Sequence, residues 1–148
     1  GLDNTLIILH DKLKKGVTVV REYAEDLPLI QAYAGELNQV WTNLIDNAID
    51  AMDGKGTLTI RARREENWVQ VDIEDEGPGV PEEIRAKIFD PFFTTKAPGQ
   101  GTGLGLNISR SLVVQRHQGR LSLDSRPGNT RFSVRLPVDF APGDEVSK

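Results

Sequence analysis

The stretch from residue 36 to residue 52 constrains the fold more than any other part of the chain. Its apolar residues recur at intervals of three and four, the spacing of one face of an α-helix, and Gly54 and Gly56 close the segment. The apolar positions are Leu37, Val40, Trp41, Leu44, Ala48, Ala51 and Met52. Because a helix with one apolar stripe must bury it against another layer, this segment predicts a helix packed onto a second element of the core.

Segments with the alternating pattern of β-strands supply that second layer. Two of them flank the turn at 65–67 and two flank the turn at 127–129, so each pair predicts an antiparallel hairpin. The predicted strands are 17–20, 57–63, 68–74, 121–123 and 130–136, with a short extended piece at 29–32; the predicted helices are 2–13, 36–52, a short one from Pro81 through Ile88, and 104–117. Helices and a mixed, largely antiparallel sheet that share one core predict an α/β two-layer sandwich.

The size and composition are those of one ordinary globular domain. A chain of 148 residues with 38% hydrophobic and 27% charged residues can bury a single core, so we expect one domain over residues 1–140 and a disordered tail over 141–148. The absence of cysteine excludes disulfides and thiolate metal sites and fits a cytoplasmic location.

Charge and hydropathy exclude two classes of partner. A net charge of −4 argues against a nucleic-acid surface, and the arginines at 61, 63 and 64 are expected to be solvated at a strand end. No apolar run is long enough to span a bilayer, so no direct membrane contact is expected from this chain. The parent protein could still be associated with a membrane.

Three polar residues share one face of the predicted central helix. Asn43, Asn47 and Asp50 stand at i, i+4 and i+7, so their side chains stack beside the apolar stripe. A carboxamide oxygen suits Mg²⁺, which takes few protein ligands when phosphate oxygens are also present. Taken alone, a pattern this short is more often that of a solvated helix face.

A glycine-bracketed turn follows the strand that ends near residue 74. The turn contains Asp75, Gly77 and Gly79, and glycines there let the backbone approach a flat ligand. The aspartate can accept a hydrogen bond from an exocyclic amine such as that of adenine. The alternative is that these residues only form the turn.

The glycine-rich segment 99–105 carries the strongest single signal. It precedes a predicted helix, and glycines before a helix offer unblocked N–H groups to phosphate. The segment matches neither the P-loop nor the dinucleotide-binding pattern. Lys96, at the start of this loop, is a candidate phosphate contact, while Phe89, Phe92 and Phe93 are expected in the core.

In order and spacing, these segments resemble the N, G1, F and G2 boxes of sensor histidine kinases, within the wider ATPase family shared with gyrase, Hsp90 and MutL. Residues 36–48 resemble the N box, and residues 89–96 resemble the F box of the nitrogen-sensor type of kinase. The resemblance covers nearly the whole chain. It implies a Bergerat-type α/β sandwich that holds ATP between the central helix and a flexible lid at 94–103.

The resemblance also implies a role for each polar position. Asn47 would hold Mg²⁺, Asn43 would lie beside the triphosphate, and Asp75 would bind the amino group of adenine. The implied catalytic residues are Asn43, Asn47 and Lys96, of which Lys96 would contact the phosphates. Asp50 on the central helix would also bind ATP, Gly77 and Gly79 would shape the adenine pocket, and Thr130 would support it. The residues implied around the phosphates are Gly101, Thr102, Gly103, Leu104 and Gly105.

Asn43 discriminates between activities. The ATP-hydrolysing members and the serine-directed anti-sigma kinases carry a glutamate base there, four residues before the magnesium asparagine, and an amide cannot accept a proton from water. A neutral imidazole is already nucleophilic, so the resemblance implies phosphoryl transfer to a histidine on a dimerisation hairpin absent from this chain, with a response regulator downstream. The isolated domain should not phosphorylate itself. An ATP-hydrolysing relative and a degenerate nucleotide-binding regulator remain alternatives.

Neither histidine of the chain is expected to be the acceptor. His10 is followed by Asp11, as in acceptor pairs, but only 25 residues separate it from Glu36, too few for a second hairpin helix and the first strands. Both His10 and His117 are therefore predicted to be structural.

Overall fold

The computed structural model describes residues 16–24, 34–90 and 105–138, and these residues form a five-stranded mixed sheet. The strands are β1 (Val17–Tyr23), β2 (Gly56–Glu65), β3 (Trp68–Asp75), β4 (Arg120–Arg126) and β5 (Asn129–Pro137). Their order is β1-β2-β3-β5-β4, in which β1 and β2 are parallel and every other neighbouring pair is antiparallel. The predicted mixed, largely antiparallel sheet and both of its hairpins are confirmed.

The described helices are α1 (Ala34–Ala51), a 3₁₀ turn (Glu82–Ile84) and α2 (Gly105–Arg110), which continues as a π-helical stretch (Ser111–Arg116). The prediction of α1 is confirmed. The short helix predicted from Pro81 through Ile88 is shorter than expected, because it consists of one 3₁₀ turn followed by turns up to Phe89. The predicted helix at 2–13, the extended piece at 29–32, the loop at 94–103 and the tail at 141–148 lie outside the described residues.

The core lies between the helices and one face of the sheet. The apolar stripe of α1 is buried except for Ala51, and Val40, Leu44 and the adjacent Ile45 are fully inaccessible. The facing layer consists of alternate strand residues, among them Leu58, Ile60, Ile73, Phe132 and Val134. Because side chains alternate across a strand, this register leaves polar residues on the opposite face. The arrangement is the predicted α/β two-layer sandwich.

The opposite face of the sheet carries a network of ion pairs. Arg61 donates to Glu22 at 2.8 Å and to Glu74 at 2.5 Å, and Arg63 donates to the buried carboxylate of Asp72 at 3.4 Å. Arg61 and Arg63 are thus paired with acids of neighbouring strands, which corrects the expectation that they are solvated. Arg64 is exposed and donates to the carbonyl oxygen of Glu66. No helix in the described parts of the chain is long and apolar enough to cross a membrane.

The end of the α2 segment is held by a buried histidine and a close backbone contact. The Nδ1 atom of His117 lies 2.9 Å from the carbonyl oxygen of Leu112, and the N–H of Gly119 donates to Val113 at 2.8 Å. Because a carbonyl oxygen only accepts, Nδ1 carries the proton. His117 is 1% exposed, which confirms its predicted structural role. His10 lies outside the described residues.

We expect Gly119→Ala to destabilise the domain. A Cβ atom at Gly119 would overlap the carbonyl oxygen of Arg135, and backbone oxygens of a central strand cannot move aside cheaply. The expected loss is about 2 kcal/mol or more in the free energy of unfolding by urea. Gly35→Ala is the matched control, because no atom lies within 4 Å of its Cβ position and alanine favours the helix. Equal stability of the two variants would contradict the contact.

Candidate functional site

Helix α1 forms one wall of the site. Asn43, Asn47 and Asp50 lie about one turn apart on this helix; the two asparagines are half-buried and Asp50 is exposed. At the end of the helix, the carbonyl oxygen of Ala51 would be 2.9 Å from a Cβ atom on Gly77. The polar face predicted from the sequence therefore runs along α1 to the turn after β3.

Asn43 connects α1 to α2. Its Nδ2 atom donates to the carbonyl oxygen of Gly105 and to the hydroxyl of Ser109, both at 3.2 Å. Because the Gly105 oxygen can only accept, the nitrogen of the amide faces α2. No residue in the described part of the chain donates to Asn43 Oδ1. Two predicted site residues, Asn43 and Gly105, are thus brought together, and Ser109, which the sequence reading did not include, supports them.

Asp75 is a buried carboxyl group at the end of β3. The residue is 1% exposed, and its Oδ1 atom accepts a hydrogen bond of 2.8 Å from the N–H of Gly77. Burial raises the pKa of Asp75 to about 6; the Gly77 hydrogen bond opposes this rise and the neighbouring charge of Glu74 adds to it. Asp75 is therefore mostly ionised near neutral pH, and its carboxylate is a strong acceptor in a nearly dry setting.

The turn from Glu76 to Val80 is held at both ends. Glu76 Oε1 accepts from the N–H of Thr57 at 2.8 Å, and the N–H of Val80 donates to Ser125 Oγ at 2.7 Å. Gly79 has a φ of 90°, and a Cβ atom there would lie 2.6 Å from the carbonyl oxygen of Arg126. This position therefore requires glycine for two reasons, its backbone angle and the close approach of β4.

Thr130 lies beside Asp75 in the sheet. The two residues are partners across β3 and β5, and Thr130 Oγ1 is 3.2 Å from Ser125 Oγ. Thr130 was predicted as a site residue from the sequence, whereas Ser125 and Arg85, which contact the same turn, were not. Ser125 had a detectable signal, because it occupies an inward position of β4 where Leu121 and Leu123 precede it at alternate places.

A small polar cavity lies beside the turn, with a volume of about 150 Å³. Its lining consists of Thr57, Thr59, Glu74, Asp75, Glu76 and Asn129. A cavity that would hold a drug-sized ligand has a volume of roughly 300–1,000 Å³. This space is smaller and acidic, and no residue of α1 lines it, so it is not where a triphosphate would bind.

The donor set suits a metal that arrives with phosphates. Among residues 16–24, 34–90 and 105–138, no group of three or more His, Cys, Asp or Glu could hold a metal ion. An amide oxygen such as that of Asn47 fits Mg²⁺ when phosphate oxygens and waters supply the remaining ligands. The predicted phosphate-binding residues Lys96, Gly101, Thr102, Gly103 and Leu104 lie outside the described residues.

Comparison with known sequences places the chain in a family. Residues 33–139 match the family described as histidine kinase-, DNA gyrase B-, and HSP90-like ATPase. The sensory histidine kinase/phosphatase NtrB of Rhodobacter capsulatus is 36% identical over 133 residues, which cover 81% of this chain and 37% of that protein. The chain therefore spans less than half the length of this relative.

Solved structures agree with the sequence match. The catalytic domain of histidine kinase ThkA superposes with a TM-score of 0.84 at 32% identity, covering 93% of this chain and 90% of that chain. Full-length ShkA in complex with AMPPNP superposes with a TM-score of 0.80 at 27% identity and covers 95% of this chain and 30% of that chain. ThkA in complex with the response regulator TrrA superposes with a TM-score of 0.81 at 27% identity and covers 96% of this chain and 40% of that chain.

These matches agree with the geometry described above, in which a polar helix face meets a buried aspartate and a glycine turn. The chain belongs to the histidine kinase-, DNA gyrase B-, and HSP90-like ATPase family, and it corresponds to the ATP-binding catalytic domain of sensor histidine kinases.

Proposed function

We propose that this domain binds Mg-ATP between α1 and the turn after β3 and donates the γ-phosphoryl group to a histidine on a dimerisation hairpin outside this chain. The observation that carries the proposal is the amide of Asn43 at the position where hydrolysing members of the family carry a base. An amide cannot activate water, so the site suits an acceptor that needs no deprotonation. The phosphorylated histidine then supplies a response regulator.

Asp75 reads the base of the nucleotide in this proposal. Its buried carboxylate accepts a hydrogen bond from the adenine amino group, and Gly77 and Gly79 let the turn pack closely against the end of α1 and against β4, which shapes the pocket around the ring. Thr130, its partner on β5, supports the same pocket. Guanine has a carbonyl oxygen where adenine has the amino group, and an oxygen facing a carboxylate is repelled.

Asn47 holds Mg²⁺ through its amide oxygen, while Asn43 and Asp50 flank the triphosphate along α1. Lys96 and the segment 101–105 bind the phosphates in this proposal. Mg²⁺, when bound, neutralises charge that develops on the γ-phosphoryl oxygens. The chain's own contribution is to position the nucleotide for attack by an imidazole nitrogen on the γ-phosphorus, after which the bond to the bridging oxygen breaks and ADP leaves.

The relatives support the proposed partners. NtrB is named a histidine kinase/phosphatase, ThkA has been solved with the response regulator TrrA, and ShkA has been solved with AMPPNP. By analogy, this domain works with an acceptor hairpin and a regulator in the cytoplasm, where ATP is supplied. Rapid hydrolysis and nucleotide binding without transfer are the competing functions, and both predict no labelled hairpin.

Transfer of label from ATP to a supplied hairpin tests the function directly. The domain is mixed with the helical segment that precedes it in its parent protein and with ATP labelled at the γ-phosphate. We expect acid-labile, base-stable phosphate on the segment, as for phosphohistidine, and none on the domain alone. The control is a segment with its acceptor histidine changed to glutamine. Phosphate release at the same rate without any labelled segment would instead identify an ATPase.

Asn47→Ala should weaken ATP binding chiefly in the presence of magnesium. Loss of the metal ligand is expected to raise the Kd about tenfold or more with Mg²⁺, equivalent to about 1.4 kcal/mol, and to change it little in EDTA. Calorimetric titration measures both. Asn38→Ala is the matched control, because Asn38 stands nine positions earlier on α1, on the opposite face. Equal losses with and without the metal would remove Asn47 as a ligand.

Asp75→Asn should abolish the preference for ATP over GTP and raise stability at high pH. The folded-state pKa of Asp75, about 6, lies above the ordinary value of 3.8 for an aspartate, so the favourable contribution to stability is present at low pH and is lost as the pH rises through 6. The variant should therefore melt several degrees higher than wild type at pH 8 and show a smaller difference at pH 4. A melting difference independent of pH would contradict the burial of a charge at this position.

A further inference from the structure

Ser125 is buried under the turn after β3 and contacts two parts of the pocket at once. Its hydroxyl oxygen accepts the N–H of Val80 at 2.7 Å and lies 3.2 Å from the hydroxyl of Thr130. Ser125 is 5% exposed and Thr130 is 4% exposed, so both hydroxyls need partners within the protein or from a ligand. Neither side chain has another hydrogen-bond partner among the described residues.

Arg85 also holds the turn after β3 against β4. Its Nε atom donates to the carbonyl oxygen of Val80 at 3.0 Å, and its Nη2 atom donates to the carbonyl oxygen of Ser125 at 2.8 Å. One guanidinium thus joins the end of the turn to β4, and the Val80–Ser125 contact cannot open without breaking these bonds. The geometry around the Ser125 hydroxyl is therefore rigid.

The donors and acceptors around Ser125 limit the directions that its proton can take. The Val80 N–H can only donate, so it takes one lone pair of Ser125 Oγ. If Thr130 also donated to that oxygen, the Ser125 proton would have no acceptor in the described part of the chain. Without a ligand the opposite direction leaves the Thr130 proton equally without an acceptor there, so the two arrangements are equivalent. When a ligand acceptor lies beside Thr130, only the arrangement in which Ser125 donates to Thr130 Oγ1 satisfies both hydroxyl protons, because the Thr130 proton then points to the ligand.

We propose that Ser125 is a positioning residue for base specificity, because it holds the Thr130 hydroxyl as a hydrogen-bond donor toward the pocket. Adenine presents an amino donor and, next to it, a ring-nitrogen acceptor, whereas guanine reverses both. A carboxylate at Asp75 and a donating hydroxyl at Thr130, acting directly or through one water, match adenine at both positions. This inference rests on the proposed adenine site and adds a residue that sets its polarity.

Nucleotide titrations of the 148-residue chain test the inference. Kd values for ATP and GTP in Mg²⁺ are measured for wild type, Ser125→Ala, Thr130→Val and the double variant. Each single variant should lower the ATP-to-GTP preference about three- to tenfold, the range expected for one hydrogen bond, and the double variant should fall no further than Thr130→Val. Ser122→Ala is the matched control, because Ser122 is an exposed serine of the same strand, and it should leave the preference unchanged.

The outcomes separate this inference from the proposed function. An equal loss of ATP and GTP affinity in Ser125→Ala, or losses that add in the double variant, would show that Ser125 only supports the turn and would overturn the inference. If Ser125→Ala does not fold, Ser125→Cys, whose thiol is slightly larger than the hydroxyl and a weak donor, should still reduce the ATP-to-GTP preference. Asp75→Asn binding ATP and GTP as wild type does would instead overturn the adenine site itself.

Discussion

The burial of the α1 stripe against the inward face of the sheet is the interaction on which the rest of the structure depends. Val40, Leu44 and Ile45 are fully buried there, and that packing sets the rotation of the helix. Once the rotation is set, Asn43 and Asn47 must lie on the flank rather than in the core or on the far side. The apolar residues of α1, which would not contact a nucleotide, therefore determine where Asn43 and Asn47 point.

The buried carboxyl group of Asp75 is the main exception to this apolar packing. Asp75 stands at an inward position of β3, where the alternation places Val71 and Ile73, and burial raises its pKa to about 6. An ionised group in such a place lowers stability, and proteins keep it where it serves recognition. Among the described residues, the hydrogen bond to its carboxylate comes from Gly77, which belongs to the turn that defines the pocket. Stability and ligand recognition therefore oppose each other at a single side chain.

Periodicity was sufficient to predict α1, the strands and both hairpins, because each has a one-dimensional signature in alternation or helical spacing. The 3₁₀ turn after Pro81 was not predictable in this way, because Arg85 reaches back to Val80 and across to Ser125, contacts that depend on the folded sheet. The pairing of Asn43 with Gly105, 62 residues apart, is equally a property of the assembled core. The role of Ser109 could not be predicted from spacing, since an isolated serine carries no pattern, and the inward position of Ser125 on β4 indicated its burial but not its hydrogen-bond partners.

The hydrogen bonds of Asn43 to α2 also bear on how activities can diverge within this family. A substitution of Asn43 by glutamate would supply the base of a hydrolase and at the same time remove the donor for the Gly105 carbonyl and the Ser109 hydroxyl. The two helices would lose these two hydrogen bonds when the new chemistry appeared. A change of reaction at this position therefore also weakens the contact between α1 and α2, and compensating substitutions in α2 would restore it.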